Sequence, residues 1–164
     1  MFANHRASRY RGFTLIEILV VMAIVTVLLG LAVVKLGATD ESRLQSAAED
    51  LAMRLENVRD EAVVRGQALA FSTDGQGYQF WLADLERNEW LALPAGDVIA
   101  SKPLPSGVTI DEMRINGLVR PLGERIVFPL SGLTEPFVLT LTSGKLRTAI
   151  VSDALGRLDV RHAL

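Results

Sequence analysis

Glu17 is the only charged side chain within a long apolar run, residues 13–34, and it is the first feature of the sequence that suggests chemistry. An ionised carboxylate at the centre of a hydrocarbon layer costs about 2.5 to 3.5 kcal/mol, and less near the edge of the layer. Because the rest of the run carries no charge, we expect this acid to have a function. The chemistry that it offers is an ion pair, in which a nearby cation offsets part of the cost of desolvation.

The composition argues against most enzyme chemistry. The chain has no cysteine, which excludes disulfides, zinc–thiolate sites, iron–sulfur clusters and thiol nucleophiles. Its two histidines are His5 and His162, close to the two ends of the chain, which disfavours a Ser-His-Asp site. The sequence therefore predicts no catalytic residue and no enzyme activity.

Two glycine-containing segments have only a superficial likeness to ligand sites. Gly144-Lys145 lacks the preceding glycine and the following Ser or Thr of a phosphate-binding loop. Asp74, with Gly75 and Gly77 nearby, lacks the repeated aspartates of a calcium loop. We interpret both segments as turns, and the sequence predicts no cofactor and no metal ion.

The tryptophans and the basic residues near the C-terminus do not favour a nucleic-acid site either. Trp81 and Trp90 lie in or beside predicted strands, where core or sheet-face positions are favoured over stacking platforms for bases. Arg157, Arg161 and His162 make the C-terminal tail weakly basic, but two nearby aspartates dilute that charge. Nucleic-acid binding, which needs a basic face that replaces phosphate counterions, is disfavoured.

The apolar run itself predicts a membrane helix. Its 22 residues would form about 33 Å of helix, enough to cross a hydrocarbon core of roughly 30 Å. Basic residues precede the run and acidic residues follow it: Arg6, Arg9, Arg11, then Asp40 and Glu41. The positive-inside tendency then leaves the N-terminus in the cytoplasm and places residues from about 36 onward outside, in the periplasm of a two-membrane bacterium.

Two general interpretations of this segment explain less of it. A cleaved secretory signal peptide would have a shorter apolar stretch and a better small-residue cleavage site than Leu36-Gly37-Ala38. An ordinary signal anchor explains the length and the orientation but leaves the acid at position 17 without a reason.

A third interpretation rests on a resemblance. The string Arg11-Gly12-Phe13-Thr14-Leu15-Ile16-Glu17 resembles the processing site of type IV pilins and type II secretion pseudopilins. The resemblance implies cleavage between Gly12 and Phe13 by a prepilin peptidase, followed by N-methylation of Phe13. It also implies that Glu17 of an arriving subunit neutralises the new Phe13 amine of a neighbour already in the filament.

A second helix is predicted beyond the apolar run. Apolar residues recur at spacings of three and four along one stripe: Leu44, Ala48, Leu51, Leu55, Val58 and Ala62. The polar cluster from Thr39 to Ser42 either caps this helix or marks where a membrane helix emerges, and Gly66 is the predicted C-cap. We interpret the stripe as packing on the protein's own domain, and the two helical segments as one long spine helix.

The chain after Gly66 is predicted to be rich in β-structure. Alternating apolar residues separated by turn signals indicate eight strands: 68–72, 78–83, 90–93, 108–111, 125–128, 137–142, 146–152 and 157–160. Residues 98–123 contain three prolines, and outside the strand at 108–111 no single conformation is predicted for them.

The C-terminal part resembles a narrower family. Segments between Arg125 and Val160, among them Leu130-Ser131-Gly132-Leu133 and Ala149-Ile150-Val151-Ser152, are similar to the minor pseudopilin H subunit of type II secretion systems and to FimT-like minor pilins. The resemblance implies an α+β fold in which the spine helix rests on a small antiparallel β-sandwich. The predicted segments are a leader (1–12), a transmembrane part (13–36), a periplasmic amphipathic helix (37–66) and a β-rich domain (67–164).

The function implied by this resemblance is structural. The chain is expected to be a non-enzymatic subunit of the periplasmic pseudopilus, which helps to assemble the filament and to export folded proteins across the outer membrane. The implied partners are the other minor pseudopilins, the major pseudopilin, the inner-membrane assembly platform, the prepilin peptidase and exported cargo. The alternatives are a FimT-like minor type IV pilin in pilus biogenesis or DNA uptake and, from another class, a membrane-anchored periplasmic enzyme.

We predict that the mature protein begins at Phe13 and carries a methylated amine. Gly12 has no Cβ, so the backbone beside the scissile bond is open to close approach by a peptidase. Intact mass spectrometry of protein isolated from its native membrane checks this start. Retention of Met1 would favour the signal anchor, and a start near Thr39 would favour the secretory signal peptide.

Overall fold

The structure, a computed structural model, describes three stretches of the chain, residues 15–35, 39–94 and 96–162. The chain divides into two compact units, Met1–Ala38 and Thr39–Leu164. The first unit contains helix α1, Leu15–Lys35.

Part of the predicted N-terminal organisation lies outside the described residues. Among the residues that the structure does describe, no helix is long and apolar enough to cross a membrane. The leader, residues 1–12, and both ends of the predicted membrane segment, residues 13–36, are not described. The leader, the membrane segment and the continuous spine helix therefore stay predictions.

The second unit begins with helix α2, Asp40–Arg65, which has a defined cap at each end. The Thr39 hydroxyl oxygen accepts a hydrogen bond from the Ser42 amide at 3.2 Å, which satisfies one of the free N–H groups of the first turn. Gly66 adopts the left-handed conformation with φ of 64°, and the next amide, that of Gln67, donates to the Ala62 carbonyl at 3.2 Å. The C-cap predicted at Gly66 is confirmed, and of the two interpretations of the polar cluster from Thr39 to Ser42 the structure supports the helix cap.

The rest of the second unit is built from strands. The described strands are β1 (Leu69–Thr73), β2 (Tyr78–Asp84), β3 (Glu89–Ala92), β4 (Thr109–Ile115), β5 (Leu118–Arg120), β6 (Ile126–Phe128), β7 (Phe137–Ser143), β8 (Leu146–Ser152) and β9 (Leu158–His162). All eight predicted strands are present, and β5 is an additional one.

The strands form two antiparallel sheets. One has the order β3-β2-β1-β6, and the other has the order β5-β4-β7-β8-β9. Helix α2 contacts strands of both sheets, namely β1 and β6 of the first and β7, β8 and β9 of the second. The predicted α+β fold, with a helix packed on antiparallel sheets, is confirmed.

One core lies between α2 and the two sheets. The helix contributes the predicted stripe together with two further alanines: Leu44, Ala47, Ala48, Leu51, Ala52, Leu55, Val58 and Ala62 are buried. Phe71 and Phe80 of the first sheet are fully buried, with ring centroids 5.9 Å apart. Phe128 of the first sheet meets Phe137 of the second edge to face at 6.2 Å, a contact that joins the two sheets.

The prediction for residues 98–123 was incomplete, because β4 runs on to Ile115 instead of ending at Asp111. The register of β4 on β7 shifts between Ile110 and Glu112, which leaves Asp111 as an extra residue. This bulge changes the phase of the strand, so that Ile110, Met113 and Ile115 all point inward. The simple alternation that predicts a strand therefore breaks at the point where the predicted strand ended.

Strand β5 was missed although its turn carries a strong signal. Asn116 and Gly117 both have positive φ, 53° and 77°, and they join β4 to β5 in a two-residue hairpin. Asn-Gly is the residue pair that such a turn prefers, because asparagine and glycine tolerate the left-handed conformation. The Asn116 side chain also donates to Glu135 at 2.8 Å, which fastens the hairpin to the loop before β7.

An ion-pair network fastens the loop after β3 to the end of α2. Arg65 donates through both terminal nitrogens to Asp97, at 2.8 and 3.1 Å, and through Nε to Glu61 at 2.6 Å. Asp97 also accepts from the amide of Ile99, whose side chain is buried in the core. The hydrogen bonds from Arg65 hold the pKa of Asp97 below its ordinary value.

We predict that Asp97→Asn lowers the free energy of unfolding by about 1 to 2 kcal/mol, because the pair with Arg65 is bidentate and partly buried. Urea unfolding of the full chain in detergent, followed by tryptophan fluorescence, checks this value. The matched control is Asp159→Asn, which removes an exposed pair with Arg161 and should change stability by less than about 0.5 kcal/mol.

The lowered pKa of Asp97 also predicts how the contribution of this ion pair to the free energy of unfolding depends on pH. The folded-state pKa of Asp97 is depressed, so the stabilisation is complete above the unfolded-state value of about 3.8 and is lost as the pH falls through the folded-state value. The stability difference between wild type and Asp97→Asn should therefore be constant from pH 7 to 5 and shrink below pH 4. A difference that persisted unchanged at pH 3 would contradict this assignment.

Candidate functional site

The predicted processing and assembly residues lie at and before the start of α1. Glu17 lies in the first turn of the helix, while Gly12 and Phe13 are outside the described residues. All side chains from Leu15 to Leu28 are exposed, and most of them are large and apolar. An apolar surface of this kind around one carboxylate requires lipid or other helices as its cover.

Helix α2 presents a different surface to solvent. Its outer face carries one exposed residue per turn: Glu49, Met53, Asn57, Asp60 and Val64. Met53 is 56% exposed and Val64 is 81% exposed, which are high values for apolar residues on a folded domain. This outer face mixes acidic and apolar groups, and no contact with either sheet covers it.

The two glycine-containing segments that have a superficial likeness to ligand sites, Gly144-Lys145 and Asp74 to Gly77, are turns, as predicted. The Asp74 carboxylate accepts hydrogen bonds from the amides of Gln76 and Gly77 at 2.9 and 2.7 Å, and these bonds lower its pKa. Gly75 has φ of 94°, and a Cβ there would lie 3.2 Å from the Ile110 carbonyl oxygen, so the turn needs glycine. Among the described residues, no cluster of three or more acidic or histidine side chains could hold a metal ion.

The basic residues near the C-terminus are paired within the domain. Arg157 contacts Asp153 at 2.7 Å, and Arg161 contacts Asp159 at 2.7 Å. His162 lies at the end of β9, in register with Thr148 of β8. This pairing removes most of the local positive charge that a phosphate backbone would need.

The tryptophans lie together on the outer face of the first sheet. In the β2–β3 register Trp81 faces Ala92 and Trp90 faces Ala83, so the two indoles are diagonal neighbours. The guanidinium of Arg125 lies over both rings, 4.5 Å from the Trp81 centroid and 5.8 Å from the Trp90 centroid. We call Trp81, Trp90 and Arg125 the indole clamp.

The signal for the indole clamp is partly present in the sequence. Pairing the predicted strands 78–83 and 90–93 as a hairpin places both tryptophans on one face. No local pattern indicates that Arg125, which precedes β6, reaches over β1 to meet them. Of the two positions that the sequence favoured for the tryptophans, core or sheet face, they occupy the sheet face; the contact with Arg125 was not predicted.

A cleft of about 430 Å³ adjoins the indole clamp along β1 and β2. Trp81 forms part of its wall, and its indole N–H donates to the Ser72 hydroxyl at 2.8 Å. The other polar groups of the lining include Gln79 and Asp74. A volume of this size is within the range of small-ligand and peptide sites.

Comparison with known proteins bears on both units. Residues 7–33 match the prokaryotic N-terminal methylation motif, and residues 47–156 match the family described as type II transport protein GspH. The type II secretion system protein H of Pseudomonas aeruginosa is 37% identical over 143 residues, which cover 86% of this chain and 80% of that protein.

Solved structures share the fold at low sequence identity. The crystal structure of the minor pseudopilin EpsH of the Vibrio cholerae type II secretion system has a TM-score of 0.63 at 15% identity, covering 77% of this chain and 98% of that one. The solution structure of Escherichia coli GspH has a TM-score of 0.56 at 19% identity, covering 74% and 89%.

The family match spans most of the second unit, from the stripe of α2 to the turn before β9, while the methylation motif covers the segment around Glu17. The two matches lie in the order expected for a processed filament subunit. The chain belongs to the protein H family of type II secretion and is a minor pseudopilin.

Proposed function

We propose that this minor pseudopilin is cleaved between Gly12 and Phe13 by a prepilin peptidase, is methylated at Phe13, and is held in the inner membrane by residues 13–36. Its N-terminus then lies on the cytoplasmic side and its second unit in the periplasm, where it joins the pseudopilus. The observation that carries this proposal is α1, whose large apolar side chains are exposed around the single carboxylate of Glu17. The match of residues 7–33 to a methylation motif supports the same processing step.

The work of the subunit is assembly. Cleavage after Gly12 creates an α-amine at Phe13, which is substantially protonated near neutral pH because such amines have pKa values of about 7.7 to 8. The amine and Glu17 are separated by about 6 Å of helical rise, so an axially shifted neighbour offers the better geometry for an ion pair. In a medium of low dielectric constant, a subunit in the wrong register leaves charges poorly solvated at a cost of several kcal/mol, so the pair sets the register.

The partners follow from this mechanism. The apolar surface of α1 is suited to the helices of the major pseudopilin and of the other minor pseudopilins, and the outer face of α2 is available to neighbouring subunits. The assembly platform and the prepilin peptidase act on the same chain in the inner membrane, and exported proteins meet the filament in the periplasm. We assign no enzyme activity to the chain itself.

Two alternatives make different predictions about where the protein acts. A minor type IV pilin would be needed for pili or DNA uptake, whereas the proposed subunit is needed for type II secretion. Deleting the gene and measuring both secreted proteins and pili separates the two. A periplasmic enzyme would retain its activity in strains that lack the secretion system.

Crosslinking through introduced cysteines tests the assembly directly. The chain has no cysteine, so a single introduced thiol is unique. Asn57→Cys, on the outer face of α2, should form a disulfide with cysteine variants of the major pseudopilin, whereas Ala48→Cys, which is fully buried, should not. A failure of all exposed positions on α1 and α2 to crosslink would contradict a place in the filament.

We predict that Glu17→Ala leaves membrane insertion and cleavage intact but reduces incorporation into the filament about tenfold or more. The reason is that the methylated amine of the neighbour loses its counter-charge in a medium of low dielectric constant. Glu17→Lys places two cations together and should be worse. The Asn57→Cys crosslink, measured in each background, gives the yield.

Glu41→Lys is the matched control for this prediction. Glu41 lies in the first turn of α2 and is exposed, so its reversal should leave the crosslink yield near that of wild type. If Glu17→Lys assembled as well as Glu41→Lys, the proposed ion pair would be wrong.

A further inference from the structure

Arg125 differs from every other arginine that the structure describes. The others all have a carboxylate within 4 Å: Arg43, Arg54, Arg59, Arg65, Arg87, Arg114, Arg120, Arg147, Arg157 and Arg161. In the described part of the chain, no ion pair reaches Arg125, and its buried Nε has no hydrogen-bond partner. Buried donors of this kind are rarely left unsatisfied in the working state of a protein.

The tryptophans fix the guanidinium without using its N–H groups. A guanidinium is planar, and stacking on an aromatic ring occupies its face while the donors project in its plane. Trp81 and Trp90 therefore hold Arg125 in place, so that its side chain loses less conformational entropy when a partner binds. The geometry is that of a preorganised site for a planar anion, which a carboxylate matches with two hydrogen bonds.

The acidic groups beside Arg125 in the sequence and in the adjoining cleft have other partners. Glu124, the preceding residue, lies 3.8 Å from Arg120. Asp74, just after β1, lines the adjoining cleft together with Trp81. Its Oδ1 accepts the backbone hydrogen bonds from Gln76 and Gly77, which hold this carboxylate in its own turn.

We propose that the indole clamp binds the carboxylate of a Glu or Asp side chain in an extended segment of another protein, with the flanking residues of that segment in the adjoining cleft. The cleft, of about 430 Å³, has room for roughly three residues. In its wall the Gln79 amide already donates to the backbone, and the Ser72 hydroxyl accepts from the Trp81 indole, which leaves the Gln79 Oε1 and the Ser72 O–H for the backbone of a bound segment. Val127, which is 40% exposed on the same sheet face and faces Ala70 in register, offers apolar contact. The choice of a neighbouring subunit as the source of the segment rests on the proposed function, whereas the recognition of a carboxylate does not.

Tryptophan fluorescence reports this site directly, because Trp81 and Trp90 are the only two tryptophans of the chain. The test uses the full-length protein in detergent micelles, titrated with acetyl-Leu-Glu-Leu-amide, with acetyl-Leu-Gln-Leu-amide and with glutarate. We expect a saturable change with the Glu peptide, and binding about tenfold weaker or worse for both the Gln peptide and glutarate. Equal binding of the two peptides, or no saturable change with the Glu peptide, would overturn the proposal, and equal binding of glutarate would replace it with a small-anion site.

Variants separate recognition from folding. Arg125→Gln should weaken binding of the Glu peptide about tenfold, and Arg125→Lys should weaken it to a smaller extent, because a lysine keeps the charge but not the two-point geometry. Arg147→Gln, which removes an exposed arginine paired with Asp111, should bind like wild type. Circular dichroism checks the fold of each variant, and if Arg125→Gln does not fold, the Arg125→Lys variant and the two peptides on wild type decide the result.

Two results distinguish a failure of the proposed indole-clamp interaction from a failure of the proposed function. If crosslinking shows incorporation into the filament while the Glu peptide does not bind, only the role of the indole clamp is lost. If the peptide binds while crosslinking and secretion assays fail, the site stands and the source of its partner must be another protein.

Discussion

Burial of the α2 stripe against both sheets is the interaction on which the fold of the second unit depends. The stripe combines leucines and a valine with alanines, and Ala48 and Ala62 have no exposed surface at all. Small residues let the backbone of the helix come close to the strands, while Leu51 and Leu55 fill the space between the sheets. Truncating a buried leucine to alanine typically costs about 2 to 5 kcal/mol, which is a large part of the whole stability of many domains, so a single truncation in this interface threatens the fold of the second unit.

The elements that follow from local periodicity and turn chemistry could be predicted from the sequence. The stripe of α2, its caps at Thr39 and Gly66 and eight strands all carry signals within a few residues of chain. The parts that could not be predicted depend on the pairing of distant residues. The bulge at Asp111 is set by the register of β4 on β7, and the position of Arg125 over Trp81 requires β6 to pair with β1. The hairpin at Asn116-Gly117 is different, because its signal was present and was overlooked among the prolines around it.

The two units carry different kinds of recognition. On α1, large exposed apolar side chains surround one carboxylate, and the proposed ion pair of Glu17 would fix the position of a subunit along the filament. On the second unit, most ion pairs are exposed and satisfied within the domain, and such pairs contribute little to partner choice. The indole clamp is an exception among the described residues, because its cation is stacked on two indole rings and takes part in no ion pair. The first kind of recognition belongs to the proposed function, and the second comes from this chain's own surface.

The fastening of α2 near its C-terminal end has a mechanical consequence. Arg65 is bonded to the loop at Asp97, Arg59 donates to the carbonyl of Gly156, and the stripe runs along the sheets for most of the helix. A force that enters the second unit at Thr39 and acts along the helix axis therefore loads these contacts in parallel, as shear, instead of opening them one after another. Contacts loaded in this way share the force, so the domain can move together with its helix while these contacts stay intact.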